Sequence, residues 1–148
     1  ERAAAYGYHE ALVGLGTLYR NGDLLAQDQT KAFAFYQAAA NQGSLEGRLR
    51  MAEMIVRGEG TKRDVDTGMA VLRSLAETDN RGVLEMLAAL CLSGRVPEQP
   101  DLAVSALNKA AGLGSTLMKK AITDILERAK NAPDKAVNAG IKWGQPPV

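Results

Sequence analysis

The same residues return every 35 or 36 positions along this chain, and that period constrains its fold more than any other feature. Ala39-Ala40…Gly43 is echoed at the start of the chain by Ala3-Ala4…Gly7 and, after one deletion, by Ala110-Ala111…Gly114. Between these landmarks, Leu15-Gly16…Tyr19…Gly22 aligns with Met51-Ala52…Ile55…Gly58 and with Leu87-Ala88…Cys91…Gly94. A fixed period of this size marks stacked supersecondary units, each of which must lie against a neighbour to bury its apolar face.

Each unit reads as two antiparallel helices. In the first unit Leu12, Leu15, Leu18 and Tyr19 fall at helical spacing, and Gly22 follows as a terminator. Asp28 stands where an N-cap is needed, its carboxylate able to accept from the free amides of the next turn. The second helix carries Ala32, Phe35, Tyr36, Ala39 and Ala40, with Gly43 after its end. Small residues, with Gly16 in the facing helix, let the two helices approach closely. Unit two repeats the grammar: Ser44 as N-cap, apolar Leu45, Leu49, Met51, Ala52 and Ile55, a turn at Gly58-Glu59-Gly60, and Asp64 capping the helix that holds Leu72 and Leu75. Unit three opens at Asn80, and its loop replaces the Asp cap with Gln99. Pro100 at the first helical position and Asp101 in the first turn compensate, since proline needs no amide partner there and an acid suits the helix dipole.

These landmarks divide the chain into residues 1–7 as the tail of a preceding unit, units 8–43, 44–79 and 80–114, a capping segment 115–143 and a tail 144–148. From Ser115 one long amphipathic helix puts Leu117, Met118, Ala121, Ile122, Ile125, Leu126 and Ala129 on one face and mainly charged residues on the other, as a terminal cap requires. A short helix is expected around residues 136–141, followed by a tail from Trp143. The chain starts at Glu1 without a methionine and inside an echo of a unit's end, as expected of a fragment whose preceding part, with any export signal, has been removed.

At these residues the chain resembles the Sel1-like repeat family, a relative of tetratricopeptide arrays. That unit runs A-x-x-x-L-G-x-x-Y-x-x-G, a short loop with Asp, then K-A-x-x-[WY]-Y-x-x-A-A-x-x-G. Unit one matches nearly throughout, at Ala11, Leu15-Gly16, Tyr19, Gly22, Asp28, Lys31-Ala32, Phe35-Tyr36, Ala39-Ala40 and Gly43. Unit two keeps Gly58-x-Gly60 and Asp64 but carries Gly47, Met51 and Leu72 at signature places, and unit three is degenerate. The resemblance, over about residues 3–114, implies an all-α fold: a right-handed α-α solenoid of Sel1-like, TPR-like helix pairs. It also implies an adaptor that assembles protein complexes, in settings such as the bacterial envelope and periplasm, secretion or signalling. In such proteins the concave surface, built from the first helix of each unit, receives a peptide or partner helix. Matching positions are Glu10, Val13, Thr17, Arg20 and Asn21 from unit one, Glu46, Leu49, Glu53 and Arg57 from unit two, and Glu85 with Ala89 from unit three.

Other function classes find little support. The net charge is +1 with no basic run, so the electrostatic footprint of a nucleic-acid binder is missing. The most apolar stretch, Met86 to Leu92, is too short to cross a bilayer. Nucleophilic catalysis needs an imidazole beside a nucleophile, yet the single histidine, His9, and the single cysteine, Cys91, fall in different units. Cys91 takes the slot of Tyr19 and is expected as a small core residue, and His9 as an exposed residue at a helix start. No metal or cofactor motif appears. Glu46 and Glu53, seven apart, could form a carboxylate pair for acid–base work, but Arg50 and Arg57 at helical spacing favour a charged face. The leading reading is a non-enzymatic scaffold that takes a protein or peptide. The alternative is a polysaccharide-binding envelope module, which would need exposed aromatics, whereas Tyr19 and Tyr36 hold structural slots and Tyr6, Tyr8 and Trp143 lie near the ends.

Overall fold

A computed structural model of the protein describes residues 2–131, and those residues contain seven helices and no strand. They are α1 (Arg2–Asn21), α2 (Gln29–Asn41), α3 (Leu45–Arg57), α4 (Val65–Ala76), α5 (Arg81–Leu92), α6 (Pro100–Gly112) and α7 (Thr116–Asn131). The chain is therefore an all-α helical repeat. Two compact units divide it, Glu1–Ser74 and Leu75–Val148. The short helix expected around residues 136–141 and the tail from Trp143 lie outside the described residues.

Local chemistry sets the helix ends at the repeat spacing. Asp28 accepts from the Lys31 amide at 3.0 Å, Asp64 from Thr67 at 3.0 Å, Ser44 from Gly47 at 3.0 Å, Asn80 from Val83 at 3.1 Å and Ser115 from Met118 at 3.2 Å. Each satisfies one of the amides a helix start leaves free. Gln99 makes no side-chain cap bond, and α6 starts with Pro100. At the far ends, Gly22, Gly58 and Gly94 sit 36 residues apart with φ of 76°, 71° and 71°. The loops after the first two are braced alike: Asp28 donates its amide to the Tyr19 carbonyl at 2.9 Å, and Asp64 to that of Ile55 at 3.0 Å.

Two ends depart from the sequence reading. Gly7 echoes Gly43 and Gly114, yet α1 runs through it from Arg2 to Asn21, so it does not terminate a helix. Asp79 stands where Gly43 and Gly114 adopt left-handed φ, and no described non-glycine residue does so. The α4–α5 junction turns differently: the Thr78 hydroxyl donates to the Leu75 carbonyl at 2.8 Å. Lys109 of α6 reaches the Ala76 carbonyl at 3.3 Å and the Asp79 carboxylate at 3.3 Å, closing the C-terminal end of α4 with a cation as the helix dipole prefers.

In the first unit, Leu12, Val13, Ala32, Tyr36, Ala39 and Met54 form a buried cluster joined by Tyr19, Phe33, Phe35 and Met51. Close crossings rest on missing side chains: a Cβ on Gly16 would stand 2.7 Å from the Tyr36 ring, and one on Gly47 would stand 2.7 Å from the Ala39 Cβ. In the second unit, Val83, Leu84, Leu87 and Ala88 of α5 are buried together with Leu102, Ala106, Leu107 and Ala110 of α6. Helix α7 packs on α6, burying Met118 and half-burying Ile122 and Ile125.

Candidate functional site

The first helices α1 and α3 meet through charge. Thirty-six residues on from Arg20 is Val56, which is 2% exposed, and a further 36 on is Leu92. A guanidinium in an apolar slot must find acceptors, because an unpaired buried charge costs several kcal/mol. Arg20 finds them in the next repeat. Its Nη1 donates to Glu53 Oε2 at 2.9 Å, and its Nη2 donates to Glu53 Oε1 at 2.8 Å and to Glu59 Oε2 at 3.0 Å. This two-point fork is the strongest arginine–carboxylate geometry. Burial alone would lower the pKa of Arg20, but the hydrogen bonds and charge of Glu53 and Glu59 more than offset it and hold the group above its ordinary value.

Around this pair the network opens toward solvent. Arg57 meets Glu59 at 2.9 Å and Glu53 at 3.5 Å, while Arg50 lies 3.8 Å from Glu46 and 3.9 Å from Glu53. The interior of the network is Arg20 and Glu53, with side chains 11% and 1% exposed, and the outer members are Arg50, Arg57 and Glu46. Glu53 is dry and engaged by Arg20 on both oxygens, so it is not placed to exchange a proton with solvent as a general base would be. The chemistry on offer is recognition: Arg50, Arg57 and Glu59 are held by the buried pair, and Glu46 by Arg50.

The residues expected on the binding face separate into two groups. Glu10, Asn21 and Arg57 are exposed, and Glu46 is half-buried. Val13 and Leu49 are core side chains, 7% and 1% exposed, and cannot serve as surface anchors. Val13 lies in the buried cluster with Ala32, Tyr36 and Ala39 of α2 and Met54 of α3. Glu53 is wholly buried, and Arg20 and Thr17 are half-buried beneath the same face. The Thr17 hydroxyl lies 3.0 Å from the Tyr36 hydroxyl and donates to the Val13 carbonyl at 3.0 Å. Glu85 is half-buried and lies 3.7 Å from Arg81 in the second unit, where Ala89 is exposed. Arg50, expected with Arg57 as part of a charged face beside Glu46 and Glu53, joins the network, and Glu59 completes it without having been picked out. The signal for Glu59 was Arg20, a charge in a slot that is apolar in the next two repeats.

The remaining reactive groups have structural settings. Cys91 is partly buried, and burial pushes its thiol up to about 11, so little thiolate forms at neutral pH. His9 lies inside α1 and is half-buried instead of exposed at a helix start. Among the described residues, no three His, Cys, Asp or Glu side chains gather as a metal site would require. Tyr19 stacks on Phe35 with ring centroids 5.6 Å apart, and Tyr36 is 1% exposed, so neither offers a free aromatic surface to a sugar.

Residues 9–44 and 45–71 match the Sel1 repeat. No curated protein matches the chain. Among solved structures, the chain is similar to a Sel1 repeat protein from Oxalobacter formigenes, at 18% identity and a TM-score of 0.60 over 92% of this chain and 52% of that one. It is also similar to a protective antigen present in uropathogenic Escherichia coli strains that displays an SLR fold, at 26% identity and a TM-score of 0.58 over 86% of this chain and 28% of that one. The chain thus spans about half of the first and little over a quarter of the second.

Proposed function

Because the chain carries Sel1 repeats, we propose that it is a non-catalytic scaffold that holds another protein on the open face of α1 and α3. Repeats of this kind are protein-interaction scaffolds. The observation that carries the reading is the charged network: Arg20 and Glu53 fix α1 against α3 from within, and Arg50, Arg57, Glu46, Glu10 and Asn21 are left at the surface. Long charged side chains already held by neighbours lose less entropy on binding, which favours recognition at such a face. The face suits an extended peptide or a partner helix with polar and charged groups of both signs. Assembly of a bacterial envelope, secretion or signalling complex, in the periplasm or outside the cell, is the setting this reading implies. Among the described residues no helix is long and apolar enough to cross a membrane.

A photoreactive amino acid placed at Asn21, on the open face, and in parallel at exposed Gln37 of α2 tests the assignment in cells. Protein adducts at position 21 and none at position 37 support it. Adducts at 37 alone would place binding on the second helices, and retention on polysaccharide without protein adducts would favour the carbohydrate reading.

A further inference from the structure

We propose that the partner segment held on the face of α1 and α3 is bipolar: it sets an acidic side chain on Arg50 and a basic one on Glu10. This inference rests on the scaffold reading and adds the chemistry of what is held. Most charges on that face already answer one another. Arg20 spends its fork on Glu53 and Glu59, and Arg57 stands 2.9 Å from Glu59. Arg50 is the exception among the arginines. Its contacts to Glu46 and Glu53, at 3.8 and 3.9 Å, exceed hydrogen-bond length, and its Nε is enclosed without an acceptor. A guanidinium carries five donors, and a donor out of water with no acceptor costs free energy. Glu10 is the exception among the acids: it is exposed, and among the described residues no base pairs with it. The two groups are opposite in sign, so one occupant answers both only if it carries both signs.

Register makes these two positions diagonal neighbours. Thirty-six residues on from Glu10 is Glu46, one turn before Arg50, and the α1 counterpart of Arg50 is Gly14. Gly14 is exposed, with nothing within 4 Å of its Cβ position, so a backbone can come close to α1 one turn from Glu10. Helices in contact lie about 8–10 Å apart and a turn adds about 5 Å, which puts the two charges roughly 10 Å from each other. An extended chain spans that distance in about three residues. Because the charges sit on different helices, the segment crosses from α1 to α3 instead of following either one. A second copy of this chain is the poorer occupant. Its Arg50 would arrive with its own Glu46 and Glu53 beside it, and Glu10 would meet those acids as well.

The test pans a phage-displayed library of random peptides against the immobilised full chain, its Glu10→Lys and Arg50→Gln variants, and Gln37→Lys on α2 as a control. Parent and control should both enrich peptides with a base and an acid about three residues apart, by about tenfold over the input library. Glu10→Lys should exchange the selected base for a second acid, and Arg50→Gln should remove the preference for an acid. Glu10→Lys alters only an exposed side chain, so its result stands even if Arg50→Gln weakens the fold. Peptides retained by the parent whose charges do not follow Glu10→Lys would overturn this inference and leave the scaffold reading intact. Retention of no peptide at all would sink both. Dimerisation of the unmixed chain in sedimentation, abolished by Glu10→Lys, would also overturn it, since a second copy would then be the occupant.

Discussion

Arg20 and Glu53 are 33 residues apart and form a two-point ion pair, at 2.9 and 2.8 Å, that joins the first helices of successive repeats. The carboxylate is wholly buried, so removal of either partner takes away the two-point pair and leaves Glu53 its longer contacts to Arg57 and Arg50, at 3.5 and 3.9 Å, or Arg20 its bond to Glu59 at 3.0 Å. Such a break destabilises by about 3 kcal/mol or more, whereas exchange of both for apolar residues of similar volume is far better tolerated. Glu53→Ala and Arg20→Ala should each lower the urea midpoint markedly, and Arg20→Met with Glu53→Leu should recover much of the loss. If the double variant loses the sum of the two single effects, the pair is not coupled.

Gly60 and Gly14 should respond in opposite senses to the same added methyl. Gly60 has φ +66°, and its Cβ would collide with the backbone carbonyl of Gln29 at the start of α2. The α3–α4 loop could not then lie against α2, and Gly60→Ala is expected to cost about 2 kcal/mol or more. Gly14 lies mid-helix in α1 with nothing within 4 Å of its Cβ position. Gly14→Ala should stabilise by roughly 0.5–1 kcal/mol from helix propensity alone. Thermal melts of the two variants beside the parent check this, and destabilisation by Gly14→Ala would show that its surface is occupied.

The cap at Asp64 gives stability a definite pH dependence. The Thr67 amide and hydroxyl, at 3.0 and 2.7 Å, favour its ionised form and hold the carboxyl below its ordinary value of 3.8. The folded value lies below the unfolded one, so the contribution is complete above the ordinary carboxyl range and is lost as pH falls through the lowered value. The melting difference between the parent and Asp64→Ala should be constant from about pH 7 down to about pH 5 and shrink below about pH 4. A difference that stays constant to lower pH would mean that ionisation plays no part in the cap.

What could be read from the sequence was local. Asp28, Ser44, Asp64, Asn80, Ser115 and Pro100 take their expected places because capping depends on residues within one turn. Gly7 shows the limit of that reasoning, since a repeated letter does not end a helix unless the chain turns there. The site was legible only in part, because its decisive contacts are distant in sequence. The burial of Leu49 and Val13 depends on how neighbouring helices cover the first helix, and Glu53 is defined by Arg20 from the preceding unit. The contact of Lys109 with the end of α4 was equally out of reach, because it joins residues 33 apart, beside an Asp79 that stands where Gly43 and Gly114 turn the chain.

The affinity of a partner recovered by crosslinking at Asn21, measured against face variants that keep the fold, tests the scaffold reading most directly. Arg57→Glu reverses an exposed charge at the edge of the network, and Arg50→Glu reverses one beside it. Leu49→Asp is unsuitable, because it would bury a charge in the core. Gln37→Arg on α2 is the control. With melting temperatures close to the parent's, the account predicts that the two face variants weaken binding by about 2 kcal/mol, or ~30-fold in Kd, and that the control binds as the parent does. Unchanged affinity in both face variants with the fold intact, or an equal loss in the control, would contradict it.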